Sequence, residues 1–235
     1  MNKSSLIISI IMASTSILCS CLDNNDLTLK ETIKETTLEK GNQLFICEKG
    51  NGEAWVTYDP GKPLHLSESN SAKITTYTGS IDIPKIVIID HWAYDITGID
   101  KMAFANNNEL TSIALPYGVT YLGEGAFCNC VTLNSINIPE GVENIPKACF
   151  GQCKKLQTIT LPASTKTIER LAFGYCNGLK ELHIQATTPP TTEEDAFGDY
   201  ISTTTLYVPT GSKWLYEEQE IWKQFKTITE EKQPL

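Results

Sequence analysis

Basic residues are in short supply: 19 Lys and Arg stand against 28 Asp and Glu in 235 residues, a formal net charge of −9. Gripping a phosphate backbone needs a basic excess to release counterions, so no nucleic-acid partner is expected. Histidine is scarcer still; His65, His91 and His183 are the only three, each isolated along the chain. No G-x-S-x-G, H-E-x-x-H or phosphate-loop pattern accompanies them. The chain is therefore read as no enzyme, with no cofactor and no metal. A membrane-spanning run is lacking too. The uncharged apolar stretch Leu6 to Leu18 spans about 20 Å as a helix, short of the roughly 30 Å hydrocarbon core. Threonine, by contrast, is abundant at 27 residues and favours strands.

What that apolar stretch does fit is export. Lys3 precedes it, and residues 1–20 have the layout of a secretory signal. Its end, Leu18-Cys19-Ser20-Cys21, resembles a bacterial lipobox. The resemblance implies a lipoprotein acylated on Cys21, anchored in the bacterial outer membrane by several acyl chains and displayed at the surface. Residues 21–41 are polar and carry both charge signs. They read as a tether, or as one holding a short helix over 29–38. Asp23 and Asp26 loosely resemble a surface-export signal, diluted by Asn24 and Asn25.

The rest of the chain repeats itself. Phe104, Phe127, Phe150 and Phe173 are each 23 residues apart, and Phe197 follows after 24. Aligned on them, Pro116, Val119, Leu122, Ala126, Phe127, Cys130, Leu133, Ile136 and Ile138 share their offsets with Pro139, Val142, Ile145, Cys149, Phe150, Cys153, Leu156, Ile159 and Leu161. A third unit runs from Pro162 to Ile184. Ile136-x-Ile138 puts two apolar side chains on one face of an extended segment, and the following proline ends that strand. Phe127, Cys130 and Leu133 have the spacing of a short helical turn. One such unit cannot enclose its own apolar groups, so the units must stack into a solenoid with parallel strand ladders. The expected fold is an α/β solenoid, mostly β, of about five coils.

At these residues the chain resembles the BspA-like leucine-rich repeat, with the pattern P-x-x-V-x-x-I-x-x-x-A-F-x-x-C-x-x-L-x-x-I-x-L. The resemblance covers about residues 77 to 229 and implies a right-handed superhelix. Repeats are placed at 93–209. An N-terminal β cap and entry strand fill 42–92, with a hairpin of 43–47 and 54–58. A helical cap and tail fill 210–235. That cap helix is expected from Lys213 to Phe225, with Ser212 as N-cap and Trp214, Leu215, Ile221, Trp222 and Phe225 sealing the core.

Phe104, Phe127, Phe150, Phe173 and Phe197 are assigned to the core with Cys130, Cys153 and Cys176. Three readings of the cysteines stand. They form a ladder of buried thiols; or a stacked pair is joined by a disulfide, which the coil spacing allows; or Cys128, Cys130, Cys149 and Cys153 hold zinc, though their spacing does not match the usual two-residue gaps. Cys128 has the look of an exposed position. Among outward strand positions, Asn137, Thr160, His183 and Tyr207 form the candidate binding face. Most of that face is small and polar, so substitutions such as Asn137→Ala and Thr160→Ala are expected to cost little. The family resemblance implies a non-catalytic protein-interaction or adhesion module for host matrix proteins or other bacterial surface proteins, and a monomer is expected. Carbohydrate capture for a surface uptake system is the alternative, with Tyr175, Tyr200 and Tyr207 as its platforms.

Overall fold

A computed structural model describes residues 17–18, 32–37, 43–50, 53–57, 77–89 and 92–232. At its N-terminal end lie β1 (Ile17–Leu18), β2 (Thr32–Thr37), β3 (Gln43–Gly50) and β4 (Glu53–Thr57). They pair in that order, each antiparallel to the next. β1 falls inside the stretch read as the export signal, and β2 inside the stretch read as the tether.

Next come β5 (Thr78–Asp82), β6 (Ile86–Ile89), β7 (Trp92–Ile99) and β8 (Glu109–Ala114). The short strands β9 (Tyr121–Leu122), β10 (Ser135–Ile136), β11 (Asn144–Ile145), β12 (Thr158–Leu161), β13 (Thr167–Ile168), β14 (Glu181–Ile184) and β15 (Thr191–Thr192) follow. The chain closes with β16 (Thr205–Pro209), helix α1 (Lys213–Glu217) and β17 (Thr227–Glu231). The expected period becomes a mostly-β solenoid of about six turns rather than five.

Two parallel ladders run along it. In the first, β5, β8 and β10 pair in parallel, as do β12, β14, β16 and β17. Ile81, Ile113, Ile136, Ile159, Leu182, Leu206 and Ile228 line its inner side, all buried. In the second, β4, β7 and β9 pair in parallel, as do β11, β13 and β15. Proline follows the first-ladder strands at Pro84, Pro116, Pro139 and Pro162 and ends them. The carbonyls of Pro116, Pro139 and Pro162 then accept the N–H three residues on, from Val119, Val142 and Thr165, so the proline opens the turn between ladders.

The third side is a run of tight turns in place of the short helical segment. Cys128 N–H donates to Gly125 O, Cys130 N–H to Phe127 O and Leu133 N–H to Cys130 O. Successive coils are joined there by Phe104 N–H to Ala126 O, Phe127 N–H to Cys149 O and Phe150 N–H to Ala172 O. The turns force two left-handed residues per coil, seen at Ala148 (φ 52°) and Gln152 (φ 64°) and repeated 23 residues away on either side. Inside, the phenylalanine rings stack with centroids 5.4–5.5 Å apart from Phe104 to Phe197.

The C-terminal cap departs from the expected helix. Only residues 213–217 are α-helical; a 3-10 turn follows at Trp222–Gln224, and then β17. Strand β17 adds a last rung to the first ladder instead of lying in a tail. Trp222 and Phe225 do seal the column, each edge-on to Phe197, but Trp214 turns outward and is 58% exposed. Ser212 does not cap: its hydroxyl donates back to Pro209 O at 2.6 Å. The Glu230 carboxylate takes that role, accepting Gly211 N–H and Lys213 N–H at 2.9 and 3.2 Å, where negative charge suits a helix start.

Candidate functional site

Outward residues of the first ladder form rows set by register. Thr160, His183, Tyr207 and Thr229 are neighbours in one row; Thr158, Glu181, Thr205 and Thr227 make the adjacent one. Alternation along β14 buries Leu182 and Ile184 and leaves His183 between them facing out, as a period of two requires.

His183 is the best-held residue of this face. Its ring stacks on Tyr207 with centroids 4.4 Å apart and planes 5° from parallel. Nδ1 lies 2.9 and 3.0 Å from the two carboxylate oxygens of Glu231. A carboxylate only accepts, so Nδ1 carries the proton. Nε2 lies 3.8 Å from Glu181, whose Oε2 accepts the Thr158 hydroxyl. The result is a flat aromatic pair rimmed by two carboxylates, with the His183 side chain 20% exposed. Sequence reasoning missed Glu231, because it lies 48 residues away in a segment read as tail.

The other two members of the candidate face behave differently. Thr160 is exposed beside His183. Asn137 reaches back one coil: its Oδ1 accepts Leu115 N–H at 2.8 Å and its Nδ2 donates to Leu115 O at 3.0 Å. Because β10 ends at Ile136, the Asn137 amide stands in for the next pair of ladder bonds. Cys21, the lipidation candidate, lies outside the described residues, as does His65.

The cysteine column is interior. Cys130, Cys153 and Cys176 are buried free thiols, each donating into the preceding coil. Their Sγ atoms lie 3.0, 3.2 and 2.9 Å from the carbonyls of Phe104, Phe127 and Phe150. The column continues past them, since the Tyr200 hydroxyl donates to Phe173 O at 2.6 Å. Burial pushes the thiols of Cys130 and Cys176 up to about 12, and raises Cys149 and Cys153 as well. Protonated donors of this kind neither attack nor ligate. Cys128 is buried too, at 7% exposure. Among the described residues no group of three or more His, Cys, Asp or Glu is placed to hold a metal ion.

A family model described as the BspA type leucine rich repeat region matches residues 77–218 in six copies. Among solved structures, the chain is similar to a leucine-rich repeat protein from Bacteroides ovatus: 24% identity, 87% of this chain and 41% of that one, TM-score 0.50. A leucine rich cell surface protein from Faecalibacterium prausnitzii matches at 18% identity over 85% of this chain and 40% of that one, TM-score 0.52. A T. pallidum leucine rich repeat protein matches at 15% identity over 84% of this chain and 78% of that one, TM-score 0.56. At these identities the likeness is one of fold. The chain spans about two fifths of the length of the first two. No curated protein matches it.

Proposed function

Since the chain belongs to the family of BspA-type leucine-rich-repeat proteins, we propose that it is a bacterial surface lipoprotein, held in the outer membrane through acylated Cys21, whose solenoid binds another protein without catalysis. The observation that carries the binding site is the His183–Tyr207 stack, fixed by Glu231 on the outward side of a rigid ladder. Aromatic side chains pre-positioned on regular structure lose little freedom on contact, the property that makes interface anchors. Thr160 and Thr229 flank the stack and supply a polar rim. Adhesion to matrix proteins or to neighbouring bacteria is the role this face would serve.

The test pairs two panels, one of matrix and bacterial surface proteins and one of glycans, against wild type and Tyr207→Ala. The proposal expects a protein ligand whose affinity falls at least about tenfold in the variant, the loss of about 1.4 kcal/mol, while the thermal melt is kept. Glycan binding lost on Tyr207→Ala, with no protein ligand, would move the assignment to carbohydrate capture. For the anchor, mass spectrometry should find acyl mass on a peptide beginning at Cys21; a free amino terminus elsewhere contradicts it. Proteinase treatment of intact cells should digest the domain, and protection until lysis would contradict outward display.

A further inference from the structure

The second ladder changes character along its length. At the C-terminal end its outward row is polar: Asn144, Thr167 and Thr191. At the N-terminal end the same row holds Tyr121, 41% exposed, with Trp55 stacked on it at 4.1 Å. Trp55, Gly98 and Tyr121 share one register across β4, β7 and β9. Glycine is needed at 98 because a Cβ there would lie 2.8 Å from the indole ring of Trp55. On the same sheet, Ile86 is 48% exposed opposite Asp95; in the turn before β9, Tyr117 is 73% exposed with the Lys85 ammonium 4.8 Å from its ring centre and 3.9 Å from the Asp95 carboxylate. Three of the five large apolar side chains that stand exposed among the described residues are therefore on this one end.

Chain length says what lies nearby. Strand β2 begins at Thr32, eleven residues after Cys21. Fully extended, that segment reaches at most about 40 Å, and β2 belongs to the same sheet as β4, β7 and β9. We infer that the aromatic surface at the N-terminal end (Trp55, Tyr121, Tyr117, Ile86 and Lys85) rests on the membrane lipid surface that holds the acyl anchor. Tyrosine and tryptophan settle at the boundary between headgroups and acyl chains, and a lysine beside them reaches the phosphates. The docking rests on the acylation of Cys21. It would leave the His183–Tyr207 face, which lies on the other ladder, away from the lipid.

The experiment uses the full acylated chain in dioleoylphosphatidylcholine vesicles, with a spin label on Tyr117→Cys or, as the control, on Thr160→Cys of the other ladder. Wild type carried through the same labelling gives the background from native thiols. Lipid-dissolved oxygen should relax the Tyr117 label more than an aqueous nickel chelate does, and the order should reverse for the Thr160 label. Acyl mass on Cys21 with both labels equally open to nickel overturns the docking and leaves the anchor standing. Absence of acyl mass overturns the anchor and the docking together. Spin–spin broadening at Tyr117 without vesicles would show a second copy covering this face, and also overturns it.

Discussion

The carbonyl of each column phenylalanine from Phe104 to Phe173 already accepts a hydrogen bond from its own turn, and the next coil supplies a second donor. Cys130, Cys153 and Cys176 do this for Phe104, Phe127 and Phe150, and Tyr200 does it for Phe173. Cys153→Ala removes one of two donors to Phe127 O, which keeps Cys130 N–H, so the lost bond should cost about 1 kcal/mol; Cys153→Ser keeps a donor and should lose less, as urea midpoints will show. The same thiols make stability fall in alkali. Burial holds their folded values above the ordinary 9.0, so their contribution is complete below pH 9 and is lost as pH climbs past it, for Cys130 and Cys176 up to about 12. Within that window each thiol withdraws roughly 1 kcal/mol per pH unit. Melts between pH 8 and 11 should steepen downward above 9, and less so in Cys153→Ser. Asn137→Ala removes two bonds to Leu115 and should cost about 1–2 kcal/mol, whereas exposed Thr160→Ala should stay within about 0.5 kcal/mol. Sequence alone groups these two residues as one outward face. It shows which way a strand residue points, but a short strand that hands its bonds to a side chain leaves no mark in the pattern.

At the scale of elements, the legible parts were those with repeated neighbours. Proline after the apolar pair marked the strand ends at Pro116, Pro139 and Pro162, and the spacing of Phe127, Cys130 and Leu133 marked the inward turn, although as tight turns rather than helix. The C-terminal segment was misread for a physical reason. Trp214, Leu215, Ile221, Trp222 and Phe225 have near-helical spacing, but the last coil needs a strand where the alternating Thr227-Ile228-Thr229 can supply it. Glu230 fixes the start of α1 from that strand, so Glu230→Ala should fray the helix and cost about 1 kcal/mol. Thr165 shows the opposite case. It stands in the column of Val119 and Val142, is buried, and its hydroxyl has no partner. Thr165→Val should therefore raise stability by about 1 kcal/mol or more. A glycine sets the limit on tightness: a Cβ on Gly178 would collide with the Lys154 carbonyl oxygen of the preceding coil, so Gly178→Ala should push two coils apart and lower the melt.

Taken whole, the molecule is a one-dimensional stack, with each coil buried only by the coils beside it. Its period was readable before any coordinates, and with it the inside and outside of most strands. The partner is not written in that period, because a repeat records what every coil must bury, while His183, Tyr207 and Glu231 each occur once. The central claim is that the phenylalanine column is the common core and the outward ladder is free for binding. Phe150 is fully buried between Phe127 and Phe173, and truncating it should cost about 3–5 kcal/mol, felt by coils on both sides. The most direct test is the thermal melt of Phe150→Ala beside Tyr207→Ala. The account predicts that Phe150→Ala lowers or abolishes the cooperative transition of the whole domain while Tyr207→Ala melts close to wild type. A Phe150→Ala protein that melts like wild type would contradict it.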